Sequence, residues 1–282
     1  MQKTSLKSQT KKLLKEYGIS PKKYMGQNFL IDKKILDKII ETAELKKQDT
    51  VLEIGAGTGI LTKELAKKVK KVIAIEKDKN LIKILKKELE KENIKNVEII
   101  EGNALFLEKS SLKLPNNYKI VANLPYYISA RVLRKFLEEI PQKKQGKRPK
   151  LMVVTVQKEV AKRICATPGN MNILAISVQL YSFPKIVKII KKESFWPKPK
   201  VDGTILKLKI KNKIPKIDTK KFFKIIKVGF SSPRKQIKNN LKKVFGKETE
   251  EFLKNKGINP RSRPEEIKLE NWVFLQNDSN II

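Results

Sequence analysis

The sequence has 282 residues and a formal net charge of +35, from 64 Lys and Arg against 29 Asp and Glu. This length allows a sizeable buried core in two domains, one large and one small, and no apolar run approaches the roughly 18 residues of a transmembrane helix. The chain contains no His and a single Cys, Cys165, which excludes disulfides, Cys/His zinc sites and catalysis by imidazole.

The apolar pattern of the first 160 residues alternates between helices and short strands. Helical spacing begins after a candidate N-cap at Asp32 and continues to Ala43. Beyond it the pattern predicts strands at Val51–Ile54, Val72–Ile75, Val97–Ile100, Lys119–Ala122 and Leu151–Val156, and helices at Leu61–Val69, Leu81–Leu89 and Ser129–Ile140. This alternation predicts an α/β fold with a mostly parallel sheet and helices on both faces.

The rest of the chain contains a loop, one more strand and then only helices. Gln142–Lys150 is predicted as a solvated loop, and Gly203–Ile210 alternates apolar residues with Lys, as in a strand near a sheet edge. Short helices are then predicted at Thr219–Val228, Arg234–Phe245, Thr249–Asn255 and Glu265–Leu275, after a linker at Asn212–Pro215. We therefore expect an α/β domain over residues 1–211 and a small all-helical domain over residues 212–282.

A glycine-rich loop, Glu53-Ile-Gly55-Ala-Gly57-Thr-Gly59, follows the first predicted strand. Glycines let the backbone approach a ligand closely, although a turn that only tightens strand–helix packing would look the same. Position 60 is Ile, so the dinucleotide pattern G-x-G-x-x-G is not matched, whereas G-x-G-x-G is. This favours an S-adenosylmethionine loop over a dinucleotide site.

Two further groups follow strands at the same predicted sheet edge. Glu76 closes the second strand, where a carboxylate can accept both ribose hydroxyls of a nucleoside. Asn123-Leu-Pro-Tyr126 follows a later strand, and there the Asn123 oxygen and the Leu124 carbonyl can accept the two hydrogens of an adenine N6 amine while the Tyr126 ring stacks on the base. An exposed Glu and an ordinary turn are the alternative interpretations. The combination favours methyl transfer to a flat amine.

Charge and cysteine content indicate the partner and the compartment. A field of +35 attracts polyanions, so RNA or DNA is favoured, although only 7 of the 64 basic residues are Arg and a Lys-rich codon bias contributes to the size of the charge. Met1–Lys15 has no apolar segment typical of a secretory signal. We expect a cytoplasmic protein without membrane association, and no feature of the sequence requires more than a monomer.

Several motifs occur here in one order: Tyr24-Met-Gly-Gln-Asn28-Phe-Leu30, the glycine loop, Asn123–Tyr126, Gln157-Lys-Glu-Val and Phe195-Trp-Pro-Lys-Pro-Lys-Val-Asp202. Together they resemble the ribosomal RNA adenine dimethyltransferase family over nearly the whole chain. The C-terminal motifs Arg234-Lys235, Asn239-Asn-Leu241, Gly257-Ile-Asn-Pro260 and Arg263-Pro-Glu265 resemble its small-subunit branch. The branch that acts on large-subunit RNA shares the catalytic motifs but not these.

The resemblance implies a Rossmann-like class I methyltransferase fold and the cofactor S-adenosyl-L-methionine. It also implies dimethylation of the N6 amine of two adjacent adenines near the 3′ end of small-subunit ribosomal RNA, with the helical domain binding RNA and no metal taking part. The implied cofactor contacts are Asn28, Leu30, Gly55, Glu76, Asn103 and Asn123. The implied catalytic set is Asn123, Leu124 and Tyr126, with Phe195 stacking on the other face of a base that is flipped out of its stack.

The chain departs from the family pattern at two positions. Asn103 stands where the family usually has Asp, which keeps an acceptor oxygen but loses the charge, so we expect weaker cofactor binding. Asn172 stands where a Gly is usual near the start of a helix. Two alternatives stay open: a ribosome-assembly or RNA-binding factor with weakened catalysis, and a methyltransferase of large-subunit RNA.

Overall fold

Two compact units make up the structure, a computed structural model that describes residues 5–107, 112–139 and 147–276. The first unit contains the residues up to Ala161 together with Pro184–Ile210, and the second contains Lys162–Phe183 together with the residues from Lys211 onward. The second unit therefore groups residues 162–183 with the C-terminal helices. The sequence had assigned those residues to the α/β domain.

The first unit is built on a seven-stranded mixed sheet. The strand bounds are β1 (Phe29–Leu30), β2 (Thr50–Ile54), β3 (Lys71–Glu76), β4 (Val97–Glu101), β5 (Lys119–Asn123), β6 (Leu151–Gln157), β7 (Ser182–Ile190), β8 (Phe195–Trp196) and β9 (Gly203–Ile210). The strands of the sheet run in the order β4-β3-β2-β5-β6-β9-β7, with neighbours from β4 to β6 parallel and β9 antiparallel to β6. The α/β fold with a mostly parallel sheet is confirmed, and β9 lies second from an edge.

The helices follow the predicted alternation, and α2 (Lys33–Thr42) begins directly after the predicted cap. The Asp32 side chain accepts hydrogen bonds from the Lys34 and Ile35 amides at 3.0 and 3.3 Å. The predicted helix from Ser129 ends at Arg134 and continues as a π-helix, Lys135–Glu139, while residue 140 and most of the predicted loop after it lie outside the described residues. The helix bounds are α1 (Leu6–Glu16), α2 (Lys33–Thr42), α3 (Ile60–Ala66), α4 (Lys79–Lys91), α5 (Ser129–Arg134), α6 (Lys158–Ile164), α7 (Ile173–Gln179), α8 (Thr219–Gly229), α9 (Ile237–Phe245), α10 (Thr249–Asn255) and α11 (Leu269–Leu275).

Both faces of the sheet are covered. Successive strand residues point to opposite faces, and Val51 and Leu52 in β2, like Val72 and Ile73 in β3, are all 0% exposed. Because β2 to β5 are parallel, their carboxyl ends meet at one edge of the sheet. Within the described ranges, no helix is long and apolar enough to cross a bilayer.

A short antiparallel ribbon joins two motifs that lie far apart in the sequence. In it β1 pairs with β8, so that Phe29 faces Trp196 and Leu30 faces Phe195. The Ile31 amide donates to the Ser194 carbonyl at 2.9 Å, which extends the pairing by one bond. The ribbon therefore brings the N-terminal Tyr24–Leu30 motif to Phe195.

The second unit is helical around a buried tryptophan. Trp272 is 0% exposed and stacks on Phe230 with ring centroids 5.5 Å apart. Its ring lies so close to Gly229 that a Cβ there would come within 2.4 Å of it. The Asn240 amide donates to the carbonyls of Gly229 and Ser232 at 2.6 and 3.0 Å, so this motif residue has a packing role.

Candidate active site

The carboxyl edge of the sheet surrounds a cavity of about 1140 Å³, a volume that includes the space at its open mouth. All nine residues that the sequence selected line it: Asn28, Leu30, Gly55, Glu76, Asn103, Asn123, Leu124, Tyr126 and Phe195. The structure thus brings together side chains from β1, β3, β5, β8 and the loops that follow β2 and β4.

The glycine loop turns sharply at the end of β2. The amides of Gly55 and Ala56 donate to the Ile75 carbonyl of β3 at 2.8 and 3.2 Å. Gly59 has a φ of 85°, and a Cβ added there would lie 2.6 Å from the Leu85 side chain of α4. Only glycine takes this left-handed conformation in so little space, which keeps the loop backbone open to the cavity.

Glu76 fixes this loop by accepting hydrogen bonds from backbone amides. One carboxylate oxygen accepts from Gly57 at 2.8 Å, and the other accepts from Lys77 and Asp78 at 2.7 and 2.9 Å. An ionised carboxylate offers about four acceptor positions, so these bonds leave one of them open. Glu76 can therefore accept one ligand hydroxyl directly, whereas accepting two would require the Gly57 amide to move.

Asn123 is held from two sides at the end of β5. Its side-chain oxygen accepts from the Thr155 hydroxyl at 2.5 Å, and its amide donates to the Asn28 carbonyl at 3.1 Å. These contacts fix the amide plane and link β5 to the N-terminal motif. Among the described residues, no donor reaches the Leu124 carbonyl. The Asn123 oxygen accepts one bond and keeps a second lone pair, so both oxygens can accept from an amine.

Tyr126 and Phe195 lie together beside these acceptors. Their rings are nearly perpendicular, at 77°, with centroids 6.3 Å apart, so they form an edge-to-face pair. Burial raises the pKa of the Tyr126 hydroxyl to about 12, and the Asp202 carboxylate adds to this rise. In this arrangement a base can stack on one ring and meet the edge of the other, and a parallel sandwich would require one ring to turn.

Gly203, at the start of β9, makes room for this pair, a role that the sequence did not indicate. A Cβ at Gly203 would lie 2.7 Å from the Tyr126 hydroxyl oxygen and 3.3 Å from the Phe195 ring. The two aromatic rings therefore rest on the bare backbone of β9. The only signal in the sequence was that this Gly directly follows the Phe195–Asp202 motif.

Comparison with known proteins agrees with this geometry. The family model described as ribosomal RNA adenine dimethylase matches residues 19–278. The chain belongs to this family. It is 38% identical over 277 residues to a ribosomal RNA small subunit methyltransferase A from Dehalococcoides mccartyi, covering 96% of this chain and 92% of the relative. It is also 38% identical to the enzyme of the same name from Clostridium botulinum, covering 95% and 97%.

Solved structures place the fold in the same group of enzymes. A dimethyladenosine transferase from Plasmodium falciparum aligns with a TM-score of 0.75 and 28% identity, covering 86% of this chain and 94% of that one. The 23S rRNA methyltransferase ErmE aligns with a TM-score of 0.71 and 25% identity, covering 89% and 98%. The chain therefore has the Rossmann-like class I methyltransferase fold.

Members of the dimethylase family use S-adenosylmethionine, and the residues of the cavity fit this cofactor. Its ammonium, ribose hydroxyls and adenine amine are hydrogen-bond donors, and the cavity is rich in acceptors. Glu76 has one open acceptor position, as counted above. Asn103 accepts from the Leu105 amide at 3.0 Å through its side-chain oxygen, which keeps a second lone pair.

Glu53 is a cavity residue that the sequence analysis treated only as the start of the glycine loop. Its carboxyl group is 1% exposed, and one of its oxygens has no hydrogen-bond partner. Burial raises the pKa of Glu53 to about 8. The Thr62 hydroxyl opposes this rise, and the neighbouring Glu76 carboxylate adds a smaller increase. An acidic residue inside an apolar strand was the signal that could have identified it.

The raised pKa of Glu53 makes the stability of the folded protein depend on pH. The folded protein keeps the carboxyl group protonated up to about pH 8, whereas the unfolded chain ionises near its ordinary value of 4.5. Unfolding therefore becomes easier as the pH rises through this window. We expect Glu53→Gln to become progressively more stable than the wild type between pH 4.5 and 8, with a constant difference outside that range.

Urea unfolding at a series of pH values measures this effect. Glu90→Gln is the control, because it removes a carboxylate that is exposed to solvent. Parallel stability curves for the wild type and Glu53→Gln would show that Glu53 ionises normally in the folded protein.

Proposed function

We propose that this protein is a monomer that transfers methyl groups from S-adenosylmethionine to the N6 amine of two adjacent adenines near the 3′ end of small-subunit ribosomal RNA. The observation that carries the proposal is the position of the Asn123 oxygen and the Leu124 carbonyl, which line the same cavity as the glycine loop and Glu76. The relatives from Dehalococcoides mccartyi and Clostridium botulinum are aligned with this chain over 92% and 97% of their length. Both are named ribosomal RNA small subunit methyltransferase A, which supports the choice of substrate.

The chemistry follows from what the chain offers the amine. When bound, S-adenosylmethionine supplies a methyl group on a sulfonium, which is the electrophile. The Asn123 oxygen and the Leu124 carbonyl accept the two N6 hydrogens, which disfavours delocalisation of the nitrogen lone pair into the purine ring. Thr155 and Asn28 hold the Asn123 amide in place, so that the lone pair would attack the methyl carbon as the C–S bond breaks. S-adenosylhomocysteine would then leave, and the methylated amine would lose one N6 proton to solvent. Tyr126 and Phe195 hold the base.

The second unit contributes phosphate contacts in this proposal. Exposed lysines such as Lys235 remain available to RNA, whereas Lys238 lies 2.7 Å from the Glu250 carboxylate and is already paired. The charge of +35 over the whole chain strengthens the attraction to RNA and makes it sensitive to salt.

Incubation with labelled S-adenosylmethionine and unmethylated subunits, small and large in separate reactions, tests the substrate. We expect label in the small subunit alone. Label in the large subunit alone would identify a large-subunit methyltransferase. No label in either, from folded protein that binds RNA, would indicate an assembly factor without methyl transfer.

Asn103 offers a direct test of cofactor contact. We expect Asn103→Asp to bind S-adenosylhomocysteine about five-fold more tightly, because a carboxylate accepts the adenine amine in a charge-assisted bond and still accepts from Leu105. Titration calorimetry measures the change. Asn103→Ala, which removes the acceptor, should bind more weakly than the wild type. Equal affinities for all three proteins would mean that Asn103 does not contact the cofactor.

A further inference from the structure

Three exposed aromatic side chains of the first unit lie on segments that line the cavity. Tyr24, Phe106 and Tyr127 are 81%, 78% and 56% exposed, whereas Phe183 of β7, which is 61% exposed, does not line the cavity. Tyr127 lines the cavity itself. Tyr24 directly precedes Met25, and Phe106 lies two residues after Ala104; Met25 and Ala104 both line the cavity. Large apolar rings left in water beside a substrate cavity mark a binding surface.

The Tyr127 ring and the backbone that carries Tyr24 are held in place by their surroundings. The Tyr127 ring packs on Gly26, where a Cβ would lie only 3.0 Å from two of its ring carbons. The Gln27 side chain accepts from the Lys22 amide at 2.7 Å and donates to the Asp78 carboxylate at 2.9 Å, which closes the short turn that carries Tyr24. These rings are therefore presented on a fixed backbone.

Phe106 is held by a separate set of bonds. Its amide donates to the Asn103 carbonyl at 2.8 Å, and the Lys135 ammonium donates to the carbonyls of Leu105 and Leu107 at 2.9 and 2.8 Å. Lys135 lies in the helical segment that begins two residues after Tyr127. The loop that carries Phe106 is thus anchored to the helix that follows Tyr127.

We propose that Tyr24, Phe106 and Tyr127 form an aromatic rim that stacks on the unpaired nucleotides next to the target adenine. This inference rests on the proposed function. A base that leaves its stack to enter the cavity exposes the faces of its neighbours, and aromatic rings can replace the lost partner. Rings carried on a backbone that is already ordered lose less entropy on stacking than rings on an unfolded loop, and they accept any base because every base has a π face. The rim therefore favours a single-stranded segment.

Binding of a labelled, short single-stranded oligoadenylate to the full-length protein tests the rim. We expect Tyr24→Ala, Phe106→Ala and Tyr127→Ala each to weaken binding by about 5- to 150-fold, the range for loss of one stacked base. The salt dependence of binding should stay unchanged, since no phosphate contact is removed. Tyr24→Phe and Tyr127→Phe keep the ring and should retain the affinity. Ile189→Ala, which truncates a 44% exposed apolar residue on β7, is the matched control.

Three outcomes separate the rim from the proposed function. Unchanged oligoadenylate affinity in all three alanine variants, with S-adenosylhomocysteine binding intact, overturns the rim. Weakened binding to assembled subunits alone also overturns it, because the rings would then contact ribosomal protein. If the wild type methylates neither subunit while the alanine variants lose oligoadenylate affinity, the proposed function fails and the rim stands only as a surface that stacks on single-stranded nucleotides.

Discussion

Replacing Asn123 by Ala is expected to lower the rate of methyl transfer by a factor of roughly 10² to 10³, the usual cost of removing one preorganised polar contact to the reacting group. The variant loses the oxygen that Thr155 orients at 2.5 Å and the amide that donates to Asn28. Single-turnover labelling of small subunits, at saturating cofactor and substrate, measures the chemical step.

Asn96→Ala is a matched control for this experiment. The Asn96 amide donates to the carbonyls of Ala66 and Val69 at 2.9 and 3.0 Å, so its loss also removes two hydrogen bonds, but away from the cavity. We expect Asn96→Ala to lower stability and to leave the rate per folded molecule near that of the wild type. An Asn123→Ala protein that is folded, binds cofactor and reacts at the wild-type rate would remove Asn123 from the catalytic set.

Replacing Glu76 by Ala is expected to weaken cofactor binding by a factor of about 100 or more, because two roles are lost together. The carboxylate can accept a ribose hydroxyl, and it also fixes the glycine loop through the Gly57 amide at 2.8 Å. Titration with S-adenosylhomocysteine gives the dissociation constant, and thermal unfolding without ligand separates lost affinity from lost fold.

Glu101→Ala is the control for Glu76. Glu101 pairs with Glu76 in register on the adjacent parallel strand, but its side chain is 53% exposed, bonds to Lys79 and does not line the cavity. Its loss should leave the dissociation constant unchanged. If both substitutions weakened cofactor binding equally, the loss of affinity would reflect the change in net charge and not a contact in the site.

Local signals in the sequence were sufficient for the elements that position the cofactor. The Asp32 cap and the glycine loop act within a few residues, so their patterns appear directly in the chain. The strand that ends at Glu76 was recognisable because it is buried on both faces and therefore continuously apolar. The predicted residues consequently met in one cavity once the sheet was formed.

Long-range and weakly patterned features could not be predicted in this way. The β1–β8 ribbon is only two residues long on each side and joins positions more than 160 residues apart, so it has no periodicity to detect. The edge strand β7 is mostly half-buried or exposed and contains Pro184 near its start, which masks a strand pattern. The protonated state of Glu53 depends on burial by the folded chain.

Nucleoside analysis of the product tests the central claim most directly. Small subunits that lack the modification are incubated with the protein and S-adenosylmethionine, and their RNA is digested and examined by mass spectrometry. We expect N6,N6-dimethyladenosine from the wild type and almost none from Asn123→Ala. Unmodified adenosine alone, from wild-type protein that is folded and binds both cofactor and RNA, would contradict the assignment of this cavity to adenine methylation.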